Sequence, residues 1–184
     1  GKRMFVAKEL RKKSISEYLL YMWQVEDIIR AFGCSLPAIE KNYISKFDYT
    51  DEQKEEETDW YGNLVRMMNA EGKREQGHLQ INQVVMDDLV DLHKRLLDSN
   101  RYPFYSAEYY KVLPFIVEIR SKNKRAEAKM KEEGSTEAPL IEANENESEI
   151  ETCFDVLYGI MLLRLQKKPI TPETEHAVKE ITTF

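Results

Sequence analysis

The sequence predicts an all-α protein, an antiparallel bundle of about six or seven helices, and three observations support this class. The chain has seven glycines and six prolines among 184 residues, and these fall mostly between segments of helical periodicity. No segment alternates apolar and polar residues over the length of a strand, so no sheet is predicted. The length fits a single domain over residues 1–184, whose core needs no disulfide bonds.

Capping residues mark where the predicted helices begin. Ser14 with Glu17, and Thr50 with Gln53, are capping boxes, in which each side chain satisfies a free backbone N–H of the other residue. Glycine supplies the stop after the first and third helices. The predicted helices cover about 14–32, 35–47, 50–71, 75–98, 107–130 and 147–167, with a last helix from 171.

Two features of the second half bear on the architecture. The sixth predicted helix, 147–167, is apolar nearly all round, which is typical of a helix at the centre of a bundle. Residues 134–146 are polar and acidic, and we expect them to form a mobile linker. Short connections elsewhere favour antiparallel neighbours.

Composition narrows the function classes. The net charge of −6 argues against nucleic acid or an anionic membrane as partner. No apolar run is long enough to span a membrane, and the basic start lacks the apolar core of a secretion signal, so the expected location is cytoplasmic. Cys34 and Cys153 give neither a disulfide framework nor a zinc site. Basic residues still cluster in two runs: Lys2, Arg3, Lys8, Arg11, Lys12 and Lys13, then Arg120, Lys122, Lys124, Arg125, Lys129 and Lys131.

Polar residues on apolar helix faces are the candidates for chemistry. At 100° per residue, Glu26 falls at the edge of an apolar stripe, and Asn82 and His93 fall near the centre of another. Arg164 shares a face with apolar residues of the sixth helix. A buried carboxylate needs a partner, and Arg30, four residues after Glu26, is the local one.

Two interpretations of these residues stay open. One is a polar pocket inside the bundle, with Glu26 as base or ligand and His93 as its partner. The other is a satisfied polar core that fixes the register of the helices. Glu75-x-x-His78 and Glu173-x-x-His176 match the spacing of di-iron bundle ligands, but both lie at helix starts, and no metal or cofactor is predicted.

An aromatic-rich turn is the candidate interface. Tyrosine offers apolar area with a polar tip and is enriched where proteins meet. The alternative is a loop clamped onto the end of the bundle. The aromatic residues are Tyr102, Phe104, Tyr105, Tyr109 and Tyr110.

The segment EYLLYMWQVEDIIR, residues 17–30, resembles the start of a family of uncharacterised bacterial all-helical proteins, a domain of unknown function. The resemblance implies a bacterial, helical, single-domain protein and brings no catalytic signature.

Three functional hypotheses follow. The first is an intracellular interaction or adaptor module that binds an unknown protein or a second copy of itself near the aromatic turn. The alternative is an enzyme or small-ligand binder with a pocket around Glu26, His93 and Arg164. The third is a nucleic-acid-associated protein that uses the basic runs.

Overall fold

A computed structural model describes residues 3–133, 148–168, 170 and 172–184; the side chains of 125–133 and of 173 lie outside that description. Every regular element in these residues is a helix, which confirms the all-α class. Eight are α-helices, where about six or seven helices were predicted, and Ile44–Lys46 is a short 3₁₀ helix. The α-helices are α1 (Arg3–Lys13), α2 (Ile15–Ala31), α3 (Leu36–Asn42), α4 (Asp51–Ala70), α5 (Gln80–Asp98), α6 (Pro103–Glu133), α7 (Glu149–Leu165) and α8 (Pro172–Thr183).

The chain divides into two compact units, Gly1–Asp87 and Asp88–Phe184, and the boundary falls within α5. In the first unit α1 packs against α2 and α4, and α3 packs against α4. In the second unit α6, α7 and α8 pack against one another. The single domain, the antiparallel bundle and the central position of the sixth predicted helix, which is α7, stay predictions. The linker predicted at 134–146 lies outside the described residues.

The core of the first unit draws on the apolar stripes of α2 and α4. The predicted stripe of α2 is buried from Tyr18 to Ile29, and α4 contributes Tyr61, Leu64 and Met68. Burying a large apolar side chain stabilises a fold by about 1.5–3 kcal/mol. The stripes therefore supply most of the drive to fold this unit.

The second unit has a separate core between α6, α7 and α8. It contains the side chains of Val112 and Ile116 from α6, Val156 and Ile160 from α7, and Ile181 from α8. The side chains of Val112 and Val156 are fully buried. Each of these three helices therefore turns one face toward the other two.

The predicted stops are confirmed at α2 and α4, and Ser14 and Thr50 are the N-caps. At α2 only half of the predicted capping box forms: the Ser14 hydroxyl accepts the Glu17 N–H, while the Ser14 N–H donates to the carbonyl of Leu10 at 2.8 Å. After α2, Gly33 takes a left-handed φ of 65°, and the backbone N–H of Cys34 donates to the carbonyl of Ile29 at 2.9 Å. This is the Schellman arrangement, which satisfies carbonyls that a helix end leaves free. Thr50 and Gln53 form the complete capping box at the start of α4.

Three helix starts differ from the predictions. Residues 3–13 were read only as a basic segment, and they form α1. The fourth predicted helix began near residue 75, but α5 begins at Gln80 because Gly77, with φ 95°, interrupts the backbone. The fifth was placed from 107 with Ser106 as its cap, yet α6 begins at Pro103, whose fixed φ suits a first helical position.

No helix among the described residues is both long and apolar enough to cross a membrane.

Candidate functional site

Glu26 is fully buried, and its carboxylate holds the start of α5. One oxygen, Oε2, accepts the backbone N–H of Leu79 at 2.8 Å and the side-chain amide of Asn82 at 2.8 Å. Leu79 is the residue just before α5, where helix N–H groups lack partners within the helix. The carboxylate also lies at the positive end of the helix dipole. Glu26 therefore caps α5 from another helix.

His78 completes this cluster. Its Nδ1 lies 2.7 Å from Oε1 of Glu26, and its ring stacks on Trp23 with centroids 4.1 Å apart. About a third of the His78 side chain is exposed. When that ring is protonated, it forms an ion pair with Glu26. The sequence showed His78 only as half of a metal-like spacing, because its role depends on a loop that folds back onto α2.

Arg30 binds the same loop from the next turn of α2. Its guanidinium donates to the carbonyl of Lys73 at 3.0 Å and to the carbonyl of Gly77. It also pairs with Asp27 at 2.8 Å. Arg30 was predicted as the partner of Glu26; in the structure its contacts fix the connection between α4 and α5.

A second buried carboxylate, Glu57 on α4, was missed by the sequence analysis. Its Oε1 accepts the backbone N–H of Met4 at 3.0 Å and the hydroxyl of Tyr49 at 3.3 Å. Burial raises the pKa of this carboxyl, and the Met4 N–H partly offsets that rise. The signal was present: Glu57 lies four and eleven residues before Tyr61 and Met68, on the buried side of α4.

His93 lies in the second unit, in an aromatic setting. Its Nδ1 is 2.6 Å from the hydroxyl of Tyr105, and its ring stacks on Tyr109 with centroids 4.8 Å apart. Phe184 packs edge-on at 6.0 Å. Burial lowers the pKa of His93 and raises the pKa of Tyr105 to about 12. Both groups are therefore neutral at pH 7, as a buried hydrogen-bonded pair requires.

Cys153 lies in the same unit, and burial raises the pKa of its thiol to about 12. A thiolate is the reactive form of cysteine, and this thiol is protonated at neutral pH. Its surroundings therefore favour the packing role expected of a buried cysteine.

Arg164 lines a groove of about 300 Å³ between α7 and α8. Its side chain is more than half exposed and pairs with Glu175 at 3.6 Å. The apolar side chains of Leu157, Ile160 and Val178 line the groove. A shared pocket of Glu26, His93 and Arg164 stays a prediction, since Glu26 belongs to the first unit and the other two to the second.

Neither metal-like spacing gathers a ligand set in the described part of the chain. His78 turns to Glu26, and the side chain of Glu173 lies outside the described residues. Among the residues described, no three His, Cys, Asp or Glu side chains lie close enough to hold a metal ion.

The aromatic turn divides into two faces. Tyr105 and Tyr109 point inward to His93. Tyr102, Phe104 and Tyr110 point outward, with 49%, 87% and 66% of their surface exposed. The turn is thus both a clamp on the second unit and an exposed aromatic surface.

The basic runs engage their own chain at several points. Arg3 donates to the Tyr43 hydroxyl at 2.9 Å and to Gln24 at 2.7 Å. Arg120 donates to the Thr152 hydroxyl at 2.8 Å. Nucleic-acid binding by the runs, which lie in different units, stays a prediction.

Comparison with protein families shows where the chain belongs. The model of a domain of unknown function, DUF4924, matches residues 4–135 and 135–184. The chain belongs to this family. The match confirms the resemblance carried by residues 17–30, and the second matched segment begins where the first ends. No curated protein and no solved structure matches the chain.

We expect Glu26→Ala to destabilise the first unit of this DUF4924 protein by about 3 kcal/mol, because it leaves two buried donors without an acceptor. Glu26→Gln keeps one acceptor oxygen and should cost less. Chemical denaturation followed by circular dichroism measures both. Glu9→Ala is the control, since Glu9 and Lys13 form an exposed ion pair, and exposed pairs contribute little to stability. Equal losses for Glu26→Ala and Glu9→Ala would contradict a capping role.

Glu57→Gln should change how stability depends on pH. The folded state raises the pKa of Glu57, so it holds this proton above pH 4.5, where the unfolded chain releases it. The wild type therefore loses stability as the pH rises from about 4.5 through the raised pKa. The variant keeps both acceptor contacts without the charge, so its advantage should grow over that window and then level off. Denaturation series at several pH values measure this difference, with the exposed Glu56→Gln as control.

His93→Gln tests the buried imidazole. Since burial lowers the pKa of His93 below 6.5, the unfolded chain takes up a proton that the folded chain refuses. The second unit should lose stability as the pH falls from about 6.5 through the lowered pKa, and the variant should lose less. Thermal unfolding between pH 7.5 and 5, followed by near-ultraviolet circular dichroism, tracks the change. The exposed His176→Gln is the control, and an equal effect there would rule out burial as the cause.

Proposed function

We propose that this chain is an intracellular protein-interaction module and that its contact surface is the outward side of α6. The observation that carries the proposal is the exposure of large apolar side chains there, with Tyr110 at 66% and Val117 at 55%. Tyrosine and other aromatics dominate the energetics of protein interfaces. Exposed clusters of such residues are uncommon on proteins that act alone.

Tyr110 and Val117 belong to a continuous surface, which we name the outer stripe. At 100° per residue, its members lie within about 100° of one another around α6. All are exposed or half-buried. The outer stripe consists of Pro103, Ser106, Tyr110, Leu113, Pro114 and Val117.

The outer stripe carries no charge. Within 103–121, the charged residues of α6 are Glu108, Lys111, Glu118 and Arg120, and none belongs to the stripe. Arg120 borders it, about 20° beyond Leu113, and its guanidinium donates to the Thr152 hydroxyl. A solvated helix face normally carries charged side chains. A neutral face of four turns instead fits a surface that becomes buried against a partner, because burying an unpaired charge there would be costly.

The hydrophobic free energy gained by burying these side chains supports binding to a partner. Complete burial of one aromatic or large aliphatic side chain contributes about 1.5–3 kcal/mol. Burial of the Tyr110 and Val117 side chains would offset part of the entropy that association costs. A partner of this chain should therefore present an uncharged, largely apolar surface.

The proposal is tested with a photo-crosslinking amino acid at position 110, in the cells from which the chain comes. We expect a defined protein to be captured at position 110, and Val117→Glu should abolish the capture because it places a charge in the buried stripe. Crosslinked bands resolved by denaturing electrophoresis and mass spectrometry give the readout.

Val84→Glu is the matched control, since Val84 is another exposed valine within a helix, at 46% exposure on α5. It should leave the capture at position 110 unchanged. Capture that survives Val117→Glu, or no capture at all, would overturn the proposed function.

A further inference from the structure

We propose that His78 is a phosphoryl-acceptor site, at which the ring nitrogen Nε2 takes a phosphoryl group from a donor that carries it on nitrogen. The site belongs to the first unit and is independent of the interaction surface on α6. Four features of its surroundings support this assignment: the hydrogen bond at Nδ1, the stacked indole ring, the partial exposure of the imidazole and a nearby lysine.

The contact with Glu26 decides which ring nitrogen of His78 can react. Nδ1 lies 2.7 Å from Oε1 of Glu26, and a carboxylate only accepts hydrogen bonds. The neutral imidazole therefore carries its hydrogen on Nδ1 and keeps a free lone pair on Nε2. Because a nitrogen needs such a lone pair to attack phosphorus, Glu26 makes Nε2 the nucleophile of this ring.

Nε2 is also accessible to a donor. None of the described residues forms a hydrogen bond with it. About a third of the His78 side chain is exposed, whereas the Glu26 carboxylate that faces Nδ1 is fully buried. One face of the imidazole is covered by Trp23, whose ring lies 4.1 Å away and is tilted by only 11°. The exposed part therefore lies toward the edge that carries Nε2, where a donor can approach without a cavity.

The transfer balances as a nucleophilic substitution at phosphorus. The lone pair of Nε2 forms the new N–P bond, and the P–N bond of the donor breaks. The donor nitrogen, already protonated, leaves with that electron pair as a neutral amine, and nothing is oxidised or reduced. The imidazole keeps its hydrogen on Nδ1 and becomes a cation. The buried Glu26 carboxylate lies against that hydrogen and stabilises the positive charge as it forms.

The loop before α5 brings a cation close to the proposed site. The Lys73 side chain folds over Gly77, the residue before His78, and its amine lies 3.2 Å from the position that a Cβ would take on Gly77. Arg30 holds this part of the loop through the carbonyls of Lys73 and Gly77. A phosphoryl group on Nε2 would be an anion, and lysine binds phosphate groups as a point charge. Lys73 is therefore placed to stabilise the product.

The three histidines of the chain separate the proposed site from ordinary reactivity. His176 is exposed on α8, and its ring contacts Phe115 edge-on. His93 is buried, with its Nδ1 at the Tyr105 hydroxyl. If exposure alone governed the reaction, His176 would react fastest. If the Glu26 contact governs it, His78 reacts fastest although it is less exposed.

Phosphoramidate tests the assignment, because its leaving nitrogen is already protonated. The full chain is incubated with potassium phosphoramidate, and peptide mass spectrometry follows the gain of a phosphoryl group at each histidine over time. We expect His78 to react at least about tenfold faster than His176, and His93 to stay unmodified. Equal or faster reaction at His176, or no product at His78, would overturn the proposal.

Glu26→Gln tests whether the carboxylate charge promotes the transfer. The variant keeps an acceptor oxygen for the Nδ1 hydrogen but has no charge to stabilise the imidazolium. The rate at His78 should therefore fall by about tenfold or more, while the rate at His176 stays the same. Glu9→Gln is the control, since Glu9 is exposed and distant in sequence from the loop, and it should change neither rate. An unchanged rate at His78 in a folded Glu26→Gln chain would contradict the proposal.

Nitrogen-15 NMR of the wild-type chain gives a test that does not depend on how well Glu26→Gln folds. At alkaline pH, where an imidazole is neutral, the ring of His78 should show a protonated Nδ1 and a bare Nε2. The chemical shifts of the two nitrogens distinguish this tautomer from the other one. A hydrogen on Nε2 would remove the nucleophile and reject the site.

Discussion

The bond between the Glu26 carboxylate and the start of α5 fixes how the first unit closes. α4 and α5 are joined by a connection with two glycines in left-handed conformations, Gly72 and Gly77, which does not define a path by itself. Glu26 captures the far end of that connection through Leu79 and Asn82, and Arg30 captures its carbonyls. Together they order the segment between two helices that local preference alone would leave variable.

Glu57 has the same capping role near the N-terminus of the chain. A fully buried carboxylate accepts the Met4 N–H near the beginning of α1, so a second helix start is satisfied by a distant side chain. α1 begins without an acidic residue in its first turn, and Glu57 supplies the missing negative group from α4. Burying a carboxylate is costly, and burial raises the pKa of Glu57 for the same reason. Each buried carboxylate therefore loses its hydration, and its hydrogen bonds fix where one helix begins.

Sequence predicted the elements whose ends are set locally. The starts of α2 and α4 follow from Ser14 and Thr50, and their stops follow from Gly33 and Gly72, because each signal lies within a few residues of the boundary. The start of α5 was misplaced for two reasons: Gly77 interrupts the backbone before it, and its cap comes from Glu26, more than fifty residues away. A local sequence pattern cannot reveal a contact between residues so far apart in the chain.

The residues of the candidate site were also predictable only in part. Periodicity identified Glu26, Asn82, His93 and Arg164 as inward-facing; the first three are buried, but Arg164 is exposed. Periodicity did not identify their hydrogen-bond partners, because His78 contacts Glu26 and Tyr105 contacts His93 only through tertiary packing. Glu57 was within reach of the same reasoning, since it stands on the buried stripe of α4.

One helix connects the buried His93 cluster to the outer stripe. Tyr105 and Tyr109, four residues apart, lie on the inner side of α6, and Tyr110 follows directly on the outer side. Pro114 has no N–H, so the carbonyl of Tyr110 lacks its usual donor four residues on. That carbonyl needs a water molecule or a hydroxyl from a partner, because leaving it dry and unpaired would be costly. If the outer stripe binds a partner as proposed, that interface would therefore have a polar group at its centre, which the partner or a water molecule must satisfy.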